Sequence, residues 1–422
     1  MIIKPLCLKK DAERRIKAGH LWIFSNDIDS AQSPLRHYST GELISIETAF
    51  GKPIAIGYIN PHCLLCIRIL SLNTQDKINT EFFVEKIKTA LAKRELIFPE
   101  KYYRAVFGES DRLPGVVIDQ FNDIIVIQIN TAGMENLKSF LISAAQTVFS
   151  PKTMVLKCDS SERKIEGLEN YCEIVGDPLP SEITLTENNC TYIISLTKGQ
   201  KTGWFFDHRF NRALIASYCQ NKRVLDVFSY CGAFSILCAK KGAAEVTAID
   251  RSASALEKLK INATVNSLTT IKTMCGDALE LMQSLQRQAE KFDVIILDPP
   301  ALIKRKKDSK AGESWYQKLN EAALVLLNTN GVLLSASCSM HLSSDNLLNI
   351  IRRAGIHTKK EISILEQCHQ GPDHPIHPAI AETNYLKGFI VNVISVAEKI
   401  QSHPQQLMTQ APHSPPTQND SA

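Results

Sequence analysis

The amino-acid sequence predicts an α/β protein in which a doubly wound, mainly parallel sheet follows two smaller domains. Three observations support this fold class. From about residue 196 onward, near-continuous apolar strand patterns alternate with helical patterns, as in a sheet that helices cover on both faces. Residues 1–72 have short strand patterns with tight turns, and residues 73–195 mix strands with helices. A chain of 422 residues is also too long for a single hydrophobic core.

Three strand patterns define the β-rich domain at residues 1–72: STGELISIET, GKPIAIGYIN and CLLCIRIL. The polar stretch SLNTQDKINT separates them from a helical pattern at 82–96, which begins an α+β domain over residues 73–195. That domain continues with two strands about a Pro-Gly turn, a helix at 134–149 and a strand at 152–157.

The C-terminal domain, residues 196–398, contains the alternating pattern, and two late strand patterns, ISILEQ and GFIVNVISV, bring its sheet to seven strands. The tail at 399–422 is rich in Pro, Gln and Ser and is predicted to be disordered. The first five strand patterns are RVLDVF (223–228), EVTAID (245–250), TIKTMCGD (270–277), FDVIILDPP (292–300) and GVLLSASCS (331–339).

Composition argues against a membrane protein and against a structural metal site. The chain is 44% hydrophobic and 22% charged, and no apolar run approaches the ~20 residues that span a bilayer. The N-terminus carries charges where a signal peptide needs its apolar core, so we expect a cytoplasmic protein without a membrane segment. The twelve cysteines are scattered and form one C-x-x-C pair, Cys63 and Cys66, which we interpret as strand residues. A structural zinc site needs a second such pair, so we expect no metal.

The turn after the first strand of the C-terminal domain decides between nucleotide cofactors. It reads DVFSYCGAF at 226–234 and offers Gly232 alone, whereas a dinucleotide fold needs G-x-G-x-x-G at this point. No G-x-x-x-x-G-K-[ST] motif occurs either. The chain therefore lacks the glycine motif that is expected of a nicotinamide-dependent oxidoreductase.

Four aspartates mark the ends of successive strands: Asp226, Asp250, Asp277 and Asp298. Each could simply cap the helix that follows. Four in this order favour a ligand site, because ligands bind outside the carboxyl ends of a doubly wound sheet. A ligand with an adenosine, a cationic head and no phosphates suits such a carboxylate-rich pocket, and S-adenosylmethionine is that ligand.

The successive motifs DxFxxxG, ID, GDA and DPP resemble those of class I methyltransferases, which have a Rossmann-like fold. The resemblance implies that S-adenosylmethionine is bound at the motif positions Asp226, Phe228, Gly232, Asp250, Asp277 and Asp298.

The DPP motif also bears on what is methylated. The DPP motif is similar to the [DNS]-P-P-[YFW] motif of amino-methylating enzymes. In this chain, however, Ala301 occupies the fourth position, after Asp298, Pro299 and Pro300, where those enzymes have an aromatic residue. That departure favours methylation of carbon. Cytosine C5 becomes nucleophilic when a thiolate adds to C6, which requires a cysteine at the pocket rim. Cys338 ends the fifth strand, beside the fourth.

Several alternatives stay open. Cys338 could be a small core residue, since cysteine is among the most buried residue types. His341 could help to deprotonate it or could merely lie at the rim, and we interpret Cys231, in the cofactor turn, as packing against the cofactor. An N-methyltransferase acting on rRNA or protein is the main rival function. An RNA-binding protein with a decayed catalytic domain fits less well, because the strand-end aspartates and Cys338 are intact.

Residues 1–398 resemble the bacterial RlmI-type 23S rRNA cytosine-C5 methyltransferases, which join a PUA domain, a central α+β domain and a catalytic domain. The resemblance rests on AGHLWIFSNDI, GESDRLPGVVID, GQKTGWFFDHRFNR, SCS, GPDHPIHP and NYLKGF. It implies that 23S rRNA is the partner and that Cys338 is the nucleophile. It also implies that the segment containing Lys201, Phe206, Asp207 and Arg209 closes over the cofactor.

One departure concerns the base that removes the C5 proton. Many cytosine-C5 enzymes have a second cysteine beside the Pro-Pro motif, where this chain has Asp298. Asp298 is therefore a candidate base, although it could instead hold N3 and N4 of the cytosine.

Charge supports contact with RNA only locally. The net charge of +4 is mild, but residues 1–72 carry nine Lys/Arg against six Asp/Glu. A basic run, Lys304, Arg305, Lys306 and Lys307, follows the DPP motif. Such a run is often a solvated loop, but beside a base-modifying pocket we expect it to contact phosphates, with Pro299 and Pro300 near the base. A homodimer is possible, with no interface evident from the sequence.

Overall fold

The computed structural model describes residues 3–197, 199, 202–303 and 305–395. Its N-terminal part is a five-stranded sheet in the order β1-β3-β4-β5-β2, in which β1 and β3 pair in parallel. Alternate side chains such as Ile44, Ile46 and Ile67 are buried in its core, which confirms the predicted β-rich domain. Cys66 lies in β5, but Cys63 lies in the turn before it, so the prediction of a strand was wrong for Cys63. The elements are β1 (Lys4–Cys7), α1 (Glu13–Lys17), β2 (Trp22–Phe24), β3 (Glu42–Glu47), β4 (Pro53–Ile59) and β5 (Leu65–Ser71).

The second part is another five-stranded sheet, ordered β10-β9-β8-β7-β6, against which two helices pack. Asn79 begins the first helix by accepting a hydrogen bond from the backbone N–H of Phe82 at 3.1 Å. The elements are α2 (Thr80–Glu95), β6 (Tyr102–Phe107), β7 (Val116–Phe121), β8 (Ile124–Ile129), α3 (Ala132–Asn136), α4 (Lys138–Phe149), β9 (Thr153–Cys158), α5 (Glu162–Ile165) and β10 (Tyr171–Gly176).

A hairpin, β11 (Ile183–Glu187) and β12 (Cys190–Ile194), connects this sheet to the C-terminal domain. Both residues of its turn, Asn188 and Asn189, have positive φ, as a tight hairpin requires. The backbone N–H of Ile193 donates to Asn262 Oδ1 at 2.7 Å, so the hairpin is fastened to the C-terminal domain.

The C-terminal domain has a seven-stranded sheet in the order β15-β14-β13-β16-β17-β19-β18. The first five strands are parallel and β19 is antiparallel to both neighbours. Apolar cores on both faces are covered by helices, which confirms the predicted fold class. The elements are α6 (Arg209–Ala216), β13 (Arg223–Val227), α7 (Ala233–Lys240), β14 (Glu245–Asp250), α8 (Ala253–Val265), β15 (Ile271–Cys275), α9 (Ala278–Arg287), β16 (Phe292–Leu297), α10 (Ser309–Leu326), β17 (Leu327–Ser337), α11 (Ser344–His357), β18 (Lys360–His369) and β19 (Lys387–Ser395).

Buried polar contacts join the central domain to the catalytic one. The Arg94 guanidinium pairs with Asp111, with a shortest distance of 2.5 Å, and also donates to the carbonyl oxygen of Asp373 at 2.8 Å. Since Arg94 and Asp111 are fully buried, these contacts fix the segment after β18 against the central domain. Within the described ranges, no helix is long and apolar enough to span a membrane.

Candidate active site

A cavity of about 470 Å³ opens at the carboxyl ends of the parallel strands, around the point where the strand order reverses between β13 and β16. Its volume lies in the range of small-molecule sites. Residues from the ends of β13, β14, β15, β16 and β17 meet in its wall, among them Phe228, Asp250, Asp277, Asp298 and Cys338.

The turn after β13 contains three residues with positive φ angles. Phe228 and Tyr230 both have positive φ, of 70° and 50°. Such backbone strain costs on the order of 1–3 kcal/mol and is concentrated at functional sites. Gly232 has a φ of +87°, and a Cβ there would approach Leu259 Cγ to 2.5 Å, so this position lets α7 and α8 pack closely.

Asp226 organises this turn and does not line the described cavity wall. One carboxylate oxygen accepts hydrogen bonds from Ser235, from Oγ at 2.6 Å and from the backbone N–H at 3.1 Å. Burial raises the pKa of Asp226 to about 7, and the neighbouring carboxylates of Asp298 and Asp250 add to the shift.

Asp250 and Asp277 line the cavity and also serve the backbone. Asp250 accepts from the N–H of Tyr230 and of Ser252, each at 2.8 Å, so it ties the cofactor turn to the end of β14. Asp277 accepts from the N–H of Leu279 at 3.0 Å and caps α9. Capping and facing the ligand are therefore compatible at this position.

The cavity suits S-adenosylmethionine. Phe228, Ile249 and Ala278 give it apolar surface for an adenine ring, and Asp250 and Asp277 provide carboxylates for hydroxyl groups or a cationic head. Among the described residues, no group of three or more His, Cys, Asp and Glu could hold a metal ion.

His208 pairs with Asp298 in the cavity wall. The distance from His208 Nε2 to Asp298 Oδ1 is 3.2 Å. Burial opposes a charge on His208, but the Asp298 carboxylate outweighs it and raises the pKa of His208. Asn211 Nδ2 lies 3.1 Å from His208 Nδ1 and donates to the carbonyl oxygen of His369, so in the neutral ring Nε2 carries the proton and points to Asp298.

Cys338 directly follows β17 and lines the same cavity, half-buried. Its Sγ lies 4.0 Å from the carbonyl oxygen of Pro299, because β16 and β17 are paired neighbours. The adjoining serines are buried: Tyr316 OH lies 2.7 Å from Ser337 Oγ and 3.0 Å from Ser339 Oγ. Helix α10 therefore fixes the residues on both sides of the cysteine.

Comparisons with known proteins agree with this geometry. A family model described as an S-adenosylmethionine-dependent methyltransferase matches residues 159–387, and one described as a PUA-like domain matches residues 6–72. The ribosomal RNA large subunit methyltransferase I of Tolumonas auensis is 37% identical over 394 residues, which are 92% of this chain and 98% of the relative. The protein of that name from Serratia proteamaculans is 33% identical and covers 92% of this chain and 99% of its own.

The chain belongs to the ribosomal RNA large subunit methyltransferase I family. The predicted PUA-like domain and S-adenosylmethionine dependence are thereby confirmed. A solved structure described as an S-adenosylmethionine-dependent methyltransferase from Streptococcus mutans has the same fold, with a TM-score of 0.78 over 92% of this chain and 100% of its own, at 20% identity. Another solved methyltransferase, complexed with S-adenosylhomocysteine, has a TM-score of 0.79 with the same coverage and identity.

In this member of the family, the residues before α6 divide between the cavity and the core. Asp207 lines the cavity and accepts a hydrogen bond from Tyr385 OH at 2.6 Å. Phe206 is buried against Phe121, at 5.3 Å between ring centroids, and lies behind the cavity wall. Arg209 lies over the Phe98 ring and donates to Glu187 at 3.1 Å, so the structure does not bring its guanidinium into the cavity lining. Lys201 lies outside the described residues.

The substrate side of the cavity contains Pro299, Pro300 and Ala301. The basic run follows: Arg305, Lys306 and Lys307 are exposed, and Arg305 pairs with Asp308 at 2.9 Å. Lys304 lies outside the described residues.

The rival sulfur, Cys231, also lines the cavity, and burial raises the pKa of its thiol to about 12. A thiol with so high a pKa is a poor nucleophile at neutral pH, in keeping with a packing role. His341 is half-buried and is not among the described lining residues.

Sequence reasoning missed His208 and Tyr316. His208 lies in the segment FFDHR, between Asp207 and Arg209, which the resemblance had already indicated as cofactor-binding residues. Its position in that segment could therefore have identified it as a site residue. Tyr316 had no local signal, because a tyrosine in a helical pattern also fits a core position.

Proposed function

We propose that this methyltransferase transfers a methyl group to C5 of a cytosine in 23S rRNA, with Cys338 as the covalent nucleophile. The observation that carries the proposal is the shared cavity wall of Cys338 and the Asp298–Pro299 pair, where Sγ lies 4.0 Å from the Pro299 carbonyl oxygen. A nucleophile and a candidate base thus face one space beside the cofactor turn. The named function of the relatives supports rRNA as the substrate.

Cys338 performs the first step. Its thiolate adds to C6 of the cytosine, the S–C6 bond forms, and the electron pair of the C5–C6 double bond shifts toward C5. Bound S-adenosylmethionine supplies the methyl group, as an electrophile on a sulfonium, to this activated carbon. The target base must be unpaired or flipped out, because the thiolate approaches the face of the ring.

Asp298 performs the last step. Its carboxylate accepts the C5 proton, the C–H electron pair re-forms the C5–C6 double bond, and the S–C6 bond breaks to return the thiolate of Cys338. His208 keeps the carboxylate in place through the 3.2 Å contact. In this proposal Asp298, which lines the same cavity wall as Cys338, takes the place of the second cysteine that many cytosine-C5 enzymes have beside the Pro-Pro motif.

RNA contact is proposed for two surfaces. The exposed cations Lys306 and Lys307 follow the cavity-lining Pro300 in the chain and suit phosphates of the target strand. The PUA-like domain supplies a second surface. We expect the cytoplasm as the location, and a homodimer stays a prediction.

The test is transfer of a labelled methyl group to unmodified 23S rRNA, followed by nucleoside analysis. Wild type and a Cys231→Ala control are expected to yield 5-methylcytosine, and Cys338→Ala is expected to yield none. An N-methylated base, or full activity of Cys338→Ala, would refute the mechanism and favour the N-methyltransferase.

A further inference from the structure

A buried lysine contacts the loop that begins at the proposed nucleophile. Lys387 begins β19, opposite Ser337 in the antiparallel pair with β17, and its residue is 9% exposed. Its ammonium donates to the carbonyl oxygens of Ser339 at 2.6 Å and of Leu342 at 2.7 Å. These two carbonyls belong to the loop that begins at Cys338, so Lys387 fixes the course of the chain immediately after the cysteine.

The charge of this lysine has little compensation. Its two hydrogen-bond partners are neutral carbonyls, and within the described ranges no carboxylate forms an ion pair with it. Burial accordingly lowers the pKa of Lys387 to about 8, and a negative charge on Cys338 acts in the opposite direction. The ammonium is bound to the carbonyl of the residue that follows Cys338, so it is held close to the cysteine in a buried region where charges are weakly screened.

Two phenols, a carboxylate and a histidine are among the other titratable groups near Cys338 in the described part of the chain. Tyr316 reaches it from α10 and Tyr385 from the segment before β19, and burial raises the pKa of both phenols. Across the cavity, His208 pairs with the Asp298 carboxylate. Lys387 is thus a cation whose buried ammonium, bound to the carbonyl of Ser339 next to Cys338, can stabilise a thiolate at position 338.

We propose that Lys387 is a positioning residue that fixes the Cys338 loop and favours the thiolate form of Cys338. The inference rests on the proposed function only in that it takes Cys338 to be the nucleophile. A cation beside a cysteine is a general way of making its thiolate available near neutral pH.

The test measures the reactivity of Cys338 without any methyl transfer. The intact protein is alkylated with iodoacetamide at a series of pH values, and the rate at each cysteine is read by peptide mass spectrometry. The exposed cysteines Cys172 and Cys275 serve as internal standards in the same digest. In wild type, the pH midpoint for Cys338 is expected to lie below that of the two standards. A midpoint at or above theirs would overturn the proposal without recourse to any variant.

Variants of Lys387 distinguish an effect of its charge from a general effect on folding. Lys387→Met is expected to slow alkylation of Cys338 about tenfold at pH 7, and Lys387→Arg is expected to restore most of the rate. Lys360→Met is the matched control: Lys360 is half-buried, donates to the Leu327 carbonyl at 2.8 Å and, like Lys387, has a pKa lowered to about 8 by burial. Equal effects of Lys387→Met and Lys360→Met would reduce Lys387 to a structural role.

The two proposals fail separately. If Cys338→Ala still methylates RNA while Lys387→Met shifts the alkylation profile, the cysteine mechanism is wrong and the electrostatic pair stands. If the profile is unmoved while Cys338→Ala is inactive, the nucleophile stands and the role of Lys387 is wrong.

Discussion

His208 Nε2 lies 3.2 Å from Asp298 Oδ1, with the histidine side chain 5% exposed and the carboxylate 25% exposed. The ring is thus closed off in the protein while the carboxylate keeps a face toward the cavity that Cys338 lines. A carboxylate that is held on one side and open on the other can accept a proton from a bound base. This arrangement distinguishes Asp298 from Asp226, whose carboxyl is fully enclosed behind the turn.

Replacing Asp298 is expected to trap the reaction at its covalent stage. In Asp298→Asn the thiolate of Cys338 can still add to C6, but the C5 proton has no acceptor, so turnover falls by about 100-fold or more. RNA linked to the protein should accumulate, and a denaturing gel detects it. The double variant Asp298→Asn, Cys338→Ala should show no linked RNA. Rapid turnover without linked RNA would assign Asp298 to base recognition alone.

His208 is expected to act through its N–H. His208→Gln can still donate to Asp298, whereas His208→Phe removes the hydrogen bond to a charged group and should lower kcat about tenfold or more. The affinity for S-adenosylmethionine should change less than kcat in both variants, because the hydrogen bond at issue holds the carboxylate that accepts the proton. The measurement is kcat under saturating cofactor and RNA, with calorimetry for the cofactor. An equal loss in both variants would contradict the role of the N–H.

Stability should depend on pH through Asp226. Its pKa is raised from 3.8 to about 7, so the fold favours the protonated carboxyl, and this contribution is complete below about pH 4 and is lost as the pH rises toward 7. Asp226→Asn removes the buried charge. Denaturant unfolding should show the variant gaining up to roughly 4 kcal/mol relative to wild type between pH 4 and pH 8. A pH-independent difference would show that Asp226 stays ionised in the fold.

The strand-end aspartates could be predicted because parallel strands bring their carboxyl ends to one edge. Asp250, Asp277 and Asp298 lie at or just after the ends of three strands that the sequence predicts, so only the order of the strands in the sheet was needed to place these residues together. Cys338 follows the same logic at the end of β17. For Asp277 the sequence could not decide between a helix cap and a ligand-binding residue. In the structure it does both, because it caps α9 and lines the cavity.

Other features depended on partners distant in the chain. Strand β6 contains Arg104 in its middle, which weakens an apolar pattern, but the guanidinium is buried by pairing with Asp119 at 2.8 Å. The contact of Lys387 with the carbonyl of Ser339 likewise joins residues 48 positions apart. A lone charge or hydroxyl in an apolar segment does not disclose its partner, so such contacts escape pattern reasoning.

Asp250 is expected to contribute to cofactor affinity. Asp250→Ala removes a carboxylate from the cavity wall and two backbone contacts of the cofactor turn, so the Kd for S-adenosylmethionine should rise about 10- to 100-fold. Asp293→Ala is a suitable control, since Asp293 lies in the same sheet near the amino end of β16 and accepts from Arg223 at 2.9 Å. Titration calorimetry gives both constants. Equal losses would mean that general destabilisation, and not the cavity, explains the effect.

The exposed lysines after the cavity should contribute to RNA affinity in a salt-dependent way. Removing Lys306 and Lys307 together should lower the slope of log K against log salt by about 2, roughly one for each phosphate contact. Removing Arg352 and Arg353, which are exposed on α11, changes the net charge equally and serves as the control. Binding to 23S rRNA is measured by filter retention between 50 and 200 mM salt, on the order of the range where such contacts are resolved. If both pairs lower the slope alike, the effect is one of net charge, because a specific phosphate contact beside Pro300 would be lost only with Lys306 and Lys307.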